Sequence, residues 1–139
     1  PEFYLPALSA NASMKQSGRD YIESGGHALA ECGGMMYLCD TIRGMDGRDY
    51  PMCGVLSEAA TMEGMRLHLG YRRMVYKGKE LRGHEFHYSS TICSTPSVAQ
   101  QYNVRGEAVE TPLYQYKNLL AGYTHLYWGE HDDLWTWFD

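Results

Sequence analysis

Apolar positions recur at helical spacing near the start of the chain. Across residues 5–24, Leu5, Leu8, Ala12, Tyr21 and Ile22 fall near one face with charges between them, which predicts an amphipathic helix. Gly25-Gly26 ends it, since glycine accepts the backbone conformations that close helices. The next signals are shorter. Residues 27–30 read as a brief buried strand, Glu31-Cys32-Gly33-Gly34 as a sharp turn, and residues 35–42 as a helix. Residues 43–51, with Gly44, Asp46 and Gly47, read as a loop.

The period then changes. Residues 52–56, 65–75, 80–89 and 90–93 read as strands joined by glycine-containing turns such as Lys77-Gly78-Lys79. Residues 98–116 are polar and weakly patterned, as in a loop or edge strand. Residues 119–126 form a last apolar strand interrupted by Gly122, and the aromatic, acidic residues 128–138 predict a terminal helix. The pattern is α/β with additional antiparallel strands, in one domain over residues 1–139, long enough to bury a core.

Composition narrows the function. A net charge of -5 creates no field that would gather nucleic acid or an anionic membrane. No apolar run reaches the roughly 18–20 residues that cross a bilayer, and no signal peptide opens the chain, so a cytoplasmic protein is expected. The cysteines, Cys32, Cys39, Cys53 and Cys93, lack zinc-ligand spacing. They read as free thiols in a reducing compartment, three of them as small buried hydrophobes. The many tyrosines and methionines read as core before they read as a binding surface. Pro1-Glu2-Phe3 carries no initiator methionine and suggests a piece of a longer protein.

The sharpest chemical signal is Leu29-Ala30-Glu31-Cys32-Gly33-Gly34. A strand ends in a nucleophile, glycines follow, and a helix begins, as in the nucleophile elbow of hydrolases. Such a turn holds the nucleophile in a strained backbone conformation and aims it into a cleft. Amides at the helix start favour thiolate and can hold an oxyanion, which makes the Gly33 N–H a candidate donor. Ala30 stands where the general motif has its first glycine, and the bland alternative is a buried cysteine at a strand end. A cysteine hydrolase also needs a base. His125, in Gly122-Tyr123-Thr124-His125-Leu126, ends a late buried strand, where α/β sites gather. His84 and His87 are its rivals. Their spacing of three puts them on opposite faces of a strand, so they cannot both enter one site. His84-Glu85-Phe86-His87 lacks the helical two-histidine geometry of zinc sites, and no metal is expected. There is no phosphate-binding glycine loop.

Several stretches together resemble one family: Pro1-Glu2 with Pro6-Ala7-Leu8-Ser9-Ala10-Asn11, the segment from Ala30 to Leu38, Gly70-Tyr71-Arg72, Arg82-Gly83-His84-Glu85-Phe86-His87-Tyr88-Ser89, and Gly122-Tyr123-Thr124-His125-Leu126. They resemble the C-terminal glutaminase domain of cobyrinic acid a,c-diamide synthases and their hydrogenobyrinic acid relatives, over nearly the whole chain. The resemblance implies a flavodoxin-like, class I-type (triad) glutamine amidotransferase fold, truncated at its N-terminal strands. Cys32 matches the family's nucleophile and His125 its base. L-glutamine is the implied substrate. Ammonia would pass to an N-terminal synthetase domain of the same intact chain, which uses ATP and Mg2+ to amidate cobyrinic acid; no cofactor is implied for this domain itself. His87 and Tyr88 are implied candidates for glutamine binding.

Two departures from the family matter. The Gly-Gly-aromatic run that helps form the family's oxyanion hole ahead of Pro1-Glu2 does not occur in this sequence, so a hole half built, from the N–H after Cys32, is the expectation. Tyr127 stands where the family often has a second histidine, so a Cys–His dyad is expected, or a third member from elsewhere. The missing sheet edge makes self-association an open expectation. The rivals are another elbow-cysteine hydrolase, and a non-catalytic module that only docks to its synthetase.

Overall fold

The computed structural model describes residues 4–92 and 95–130. Its strands form three sheets, and the central one positions the candidate site. That sheet has the order β1 (Ala28–Glu31), β11 (Leu119–Gly122), β10 (Leu113–Tyr116). β1 and β11 run parallel, with Ala28 opposite Leu119 and Glu31 opposite Gly122. Every residue of β11 is buried, because both faces of the sheet are covered. Ala30, Leu119 and Ala121 pack on one side with helices α1 (Leu5–Ala10), α2 (Ala12–Glu23) and α3 (Gly33–Leu38). Leu120 and Leu113, with Leu29 against them, pack on the other side with Met74, Tyr76 and Leu81.

Those last three belong to β5 (His68–Tyr76) and β6 (Lys79–His87), a long hairpin turning at Lys77-Gly78 as its sequence predicts. Both turn residues have positive φ, the requirement of a tight hairpin turn. The hairpin lies in a five-stranded sheet, β12-β6-β5-β8-β9, with β8 (Gln101–Tyr102), β9 (Ala108–Val109) and β12 (His125–Leu126). A third sheet, β3-β2-β4-β7, combines β2 (Cys39–Arg43), β3 (Asp49–Pro51), β4 (Leu56–Thr61) and β7 (Ser90–Ile92).

Several expectations change. The single helix over 5–24 is two, broken at Asn11, whose side chain accepts the Met14 N–H at 3.1 Å and caps the second. The helix expected over 35–42 is Gly33–Leu38, and Cys39 begins a strand instead. β-branched Thr41 and Ile42 suit that strand, which β3 and β4 flank on both sides. The loop over 43–51 ends in β3. The strand expected over 52–56 begins only at Leu56 and runs to Thr61. Its inward Glu58 hid the apolar alternation; the carboxylate accepts the Thr95 N–H at 2.7 Å. The hairpin strand starts at His68, not at residue 65. Residues 119–126 divide between two sheets, β11 and β12. Trp128–Glu130 is a 3-10 turn, and the terminal helix expected beyond it falls outside the described residues, as do Cys93 and the Pro1-Glu2 stretch.

Candidate active site

Cys32 follows the last residue of β1 and caps α3 with φ 51 and ψ -111. Few residues other than glycine adopt this conformation, and the surroundings hold it there. Its N–H donates to the Gly122 carbonyl at 2.8 Å, and its own carbonyl accepts the Met36 N–H at 3.0 Å. Met35 and Met36 are fully buried and anchor α3 from below. The elbow read from the sequence is therefore present. Its helix is only six residues long, so local amides such as that of Gly33 matter more than any macrodipole.

The cysteines divide by environment. Cys32 is partly exposed, whereas Cys39 and Cys53 are buried. Burial pushes the Cys39 thiol up to about 12, reinforced by the Glu58 and Asp40 charges. Burial also raises the Cys53 thiol.

His125 reaches the same end of the sheet by a short crossing. β11 ends at Gly122, the residue that receives the Cys32 N–H. Tyr123 and Thr124 are buried and pinned: the Tyr123 hydroxyl lies 3.0 Å from Ser89 Oγ, and Thr124 Oγ1 donates to Gln101 Oε1 at 2.6 Å. His125 and Leu126 then pair with His84 and Gly83 of β6. Glycine at 83 is required, because a β-carbon there would collide with the His125 carbonyl oxygen. The His125 and His84 rings stack at 5.2 Å, and Tyr127 lies 5.7 Å from His84.

Glu31, absent from the sequence candidates, ties the two halves together. Its Oε2 lies 3.8 Å from His125 Nδ1. Its Oε1 accepts the Leu126 N–H at 3.2 Å and the Trp128 indole N–H at 2.9 Å. The residue before the nucleophile thus holds the strand that carries the histidine. The signal was legible in principle: an acid ending the apolar strand Ala28-Leu29-Ala30, next to the cysteine.

His87 and Tyr88 are not brought to one place. Tyr88 is exposed, edge-on to Phe86 at 6.0 Å. His87 is buried on the inner face, opposite to His84, as their spacing requires. Its ring stacks between Tyr123 (3.6 Å) and His68 (4.8 Å). Nε2 lies 2.8 Å from Glu85 Oε1, and Nδ1 lies 2.8 Å from the Ser89 carbonyl. Arg72 Nε and Thr111 Oγ1 both donate to the other Glu85 oxygen. Burial alone would raise the Glu85 carboxyl; hydrogen bonds from His87, Thr111 and Arg72 outweigh it and hold the group down to about 2. Burial, then the neighbouring His87, lowers His68. These side chains line a cavity of about 490 Å³. Among the described residues, no three His, Cys, Asp or Glu side chains gather as a metal site would need.

The comparisons with known proteins agree with one another on the family. The model of the CobB/CobQ-like glutamine amidotransferase domain matches residues 1–133. The chain belongs to that family. Cobyrinate a,c-diamide synthase from Priestia megaterium is 36% identical over 138 residues, covering 93% of this chain and 30% of the relative. The synthase of the same name from Dehalococcoides mccartyi is 34% identical over 148, covering 96% and 32%. Hydrogenobyrinate a,c-diamide synthase from Streptomyces coelicolor is 35% identical over 136, covering 92% and 26%. This amidotransferase domain thus spans less than a third of the length of these curated relatives. The resemblance read from the motifs is upheld along most of the chain. No helix of the described residues is long and apolar enough to cross a membrane.

Proposed function

We propose that this domain is a glutaminase that hydrolyses L-glutamine through a Cys32 thioester. The observation carrying the proposal is the elbow itself: a positive-φ cysteine bonded to the end of the strand from which His125 departs three residues later. Cys32 Sγ attacks the glutamine side-chain carbonyl carbon, and the oxyanion takes the Gly33 N–H. The C–N bond breaks as His125 gives a proton to the leaving ammonia. His125 then takes a proton from water; the hydroxyl adds to the thioester, glutamate departs, and Cys32 recovers its proton. Glu31 serves as the third member. Its carboxylate faces His125 Nδ1, steadies the imidazolium and fixes the ring through β12.

In this reading the fold is a flavodoxin-like class I amidotransferase sheet, with β1 and β11 its parallel strands and the three-sheet assembly its elaboration. Residues 1–139 are one glutaminase domain, and a synthetase domain of the same chain is its partner. The outward face of the β5–β6 hairpin favours that partner: Leu69 and Phe86 face each other across it, with Tyr71 beside them, 61%, 50% and 65% exposed. ATP and Mg2+ would belong to the synthetase, and ammonia would amidate corrin carboxylates of the kind the relatives' names describe.

The first experiment is reaction with a glutamine-mimicking diazoketone, read by mass spectrometry. The adduct is expected on Cys32 and absent from Cys32→Ala. An adduct on Cys39, Cys53 or Cys93, or glutamine hydrolysis by Cys32→Ala, overturns the assignment. A folded protein that binds the synthetase domain yet takes no label at all would favour the docking role alone.

A further inference from the structure

His87 is held at both nitrogens of its ring. Nε2 lies 2.8 Å from Glu85 Oε1, and Nδ1 lies 2.8 Å from the Ser89 carbonyl oxygen. A carbonyl oxygen only accepts. So does Glu85 when ionised. Burial would raise its carboxyl, but the hydrogen bonds it receives, among them those from Thr111 and Arg72 to the other oxygen, hold it down to about 2. Two acceptors at hydrogen-bonding distance call for two donors, and a histidine ring carries an N–H on each nitrogen only as the imidazolium.

The surroundings suit that charge. A buried ion persists where it is paired and hydrogen-bonded, and here each N–H has an acceptor. Tyr123 stacks on one face of the ring at 3.6 Å and 10°, offering the π cloud that attracts cations. His68 lies on the other face at 4.8 Å, and burial, then the neighbouring His87, lowers it, so it does not compete as a second cation. The other charged groups around the cavity that these side chains line are Arg66, Arg72 and Glu110.

His87 also belongs to a closed triangle of buried side chains. It holds the Ser89 carbonyl, the Ser89 hydroxyl lies 3.0 Å from the Tyr123 hydroxyl, and Tyr123 returns to His87 through the stack. Ser89 Oγ gives its one proton to the Met36 sulfur at 3.2 Å, so the Tyr123 hydroxyl is the donor between them. The triangle touches both parts of the candidate site. Met36, in α3, donates its N–H to the Cys32 carbonyl. Tyr123 follows Gly122, which receives the Cys32 N–H, and precedes His125 by two residues.

We propose that His87 is a buried imidazolium and the positioning residue for the crossing that delivers His125: it fixes Tyr123 and Ser89, and through them the path of the chain from β11 to β12. The positioning role rests on the glutaminase reading; the doubly protonated ring does not.

Nitrogen NMR of the protein labelled with 15N-histidine tests the ring, with His87 assigned through its backbone. Both His87 nitrogens are expected to carry protons at about pH 7. A nitrogen without one overturns the imidazolium. Glutamine hydrolysis tests the positioning. Tyr123→Phe removes one hydroxyl and keeps the stack, and His87→Gln keeps a donor and removes the cation. Each should lower kcat on the order of tenfold with KM little changed, because glutamine still binds while the base is misplaced. Tyr116→Phe, which loses a hydroxyl bonded to Glu23 at the opposite end of the sheet, leaves both constants unchanged. Wild-type kcat in folded Tyr123→Phe overturns the positioning role, as does a raised KM at unchanged kcat, the sign of a direct glutamine contact. If His87→Gln does not fold, Tyr123→Phe decides alone. Wild-type protein that hydrolyses no glutamine overturns the glutaminase reading and the positioning role with it, whereas the nitrogen spectrum decides the imidazolium independently.

Discussion

At the scale of single residues, the candidate site consists of three side chains that one crossing connects. Cys32 and Glu31 are neighbours in sequence, and His125 is carried to them by the departure of the chain from β11. Glu31→Gln keeps an oxygen for the Leu126 and Trp128 N–H groups but removes the charge facing His125. The expected result is a fall in kcat of roughly 10²-fold with KM little changed, and an altered pH–rate profile. A variant with wild-type kcat at all pH values would remove Glu31 from the mechanism. Glu85 plays a different part. Its carboxyl is depressed in the folded protein, so its contribution is complete above the ordinary value of 4.5 and disappears as pH falls toward about 2. The contribution is on the order of 3 kcal/mol. Urea melts of wild type and Glu85→Gln should therefore differ most near neutral pH and converge in acid.

At the scale of elements, β12 is the piece on which the histidine depends, although it is only two residues long. It has no apolar pattern of its own; pairing with β6, the Glu31 bond and the absence of a side chain at Gly83 hold it. Gly83→Ala should displace it. Glutaminase rate is expected to drop at least about tenfold, with about 1–3 kcal/mol lost from stability, from the overpacking. Activity assays beside thermal melts will separate this from general unfolding. The same element shows where sequence pattern stops being informative. Residues 119–126 read as one apolar strand because burial looks alike on either side of Gly122. Which sheet each half joins depends on partners some 40 and 90 residues away in sequence. Likewise Cys39–Arg43 carries enough apolar character for a helix, and only the flanking β3 and β4 make it a strand.

At the scale of the whole molecule, the three-stranded central sheet is clad on both faces, and the candidate catalytic groups stand at the end of it. Leu120, on the hairpin side, is 4% exposed among Met74, Tyr76 and Leu81. Leu120→Ala should cost about 2–5 kcal/mol and lower the Tm measured by calorimetry. Its neighbour Leu119 points into the larger core, and its replacement should cost a similar amount there.

The sequence by itself determined the elbow, the hairpin turn at Lys77-Gly78, the opposition of His84 and His87, and the family. Each of these rests on contiguous residues, where backbone sterics and side-chain alternation act over a few positions. The tertiary structure alone decided that Glu31 faces His125 and that Glu58 and Glu85 are buried with partners. Those facts depend on long-range pairing. A charged residue looks solvent-exposed in a sequence until the fold supplies the hydrogen bonds that permit its burial.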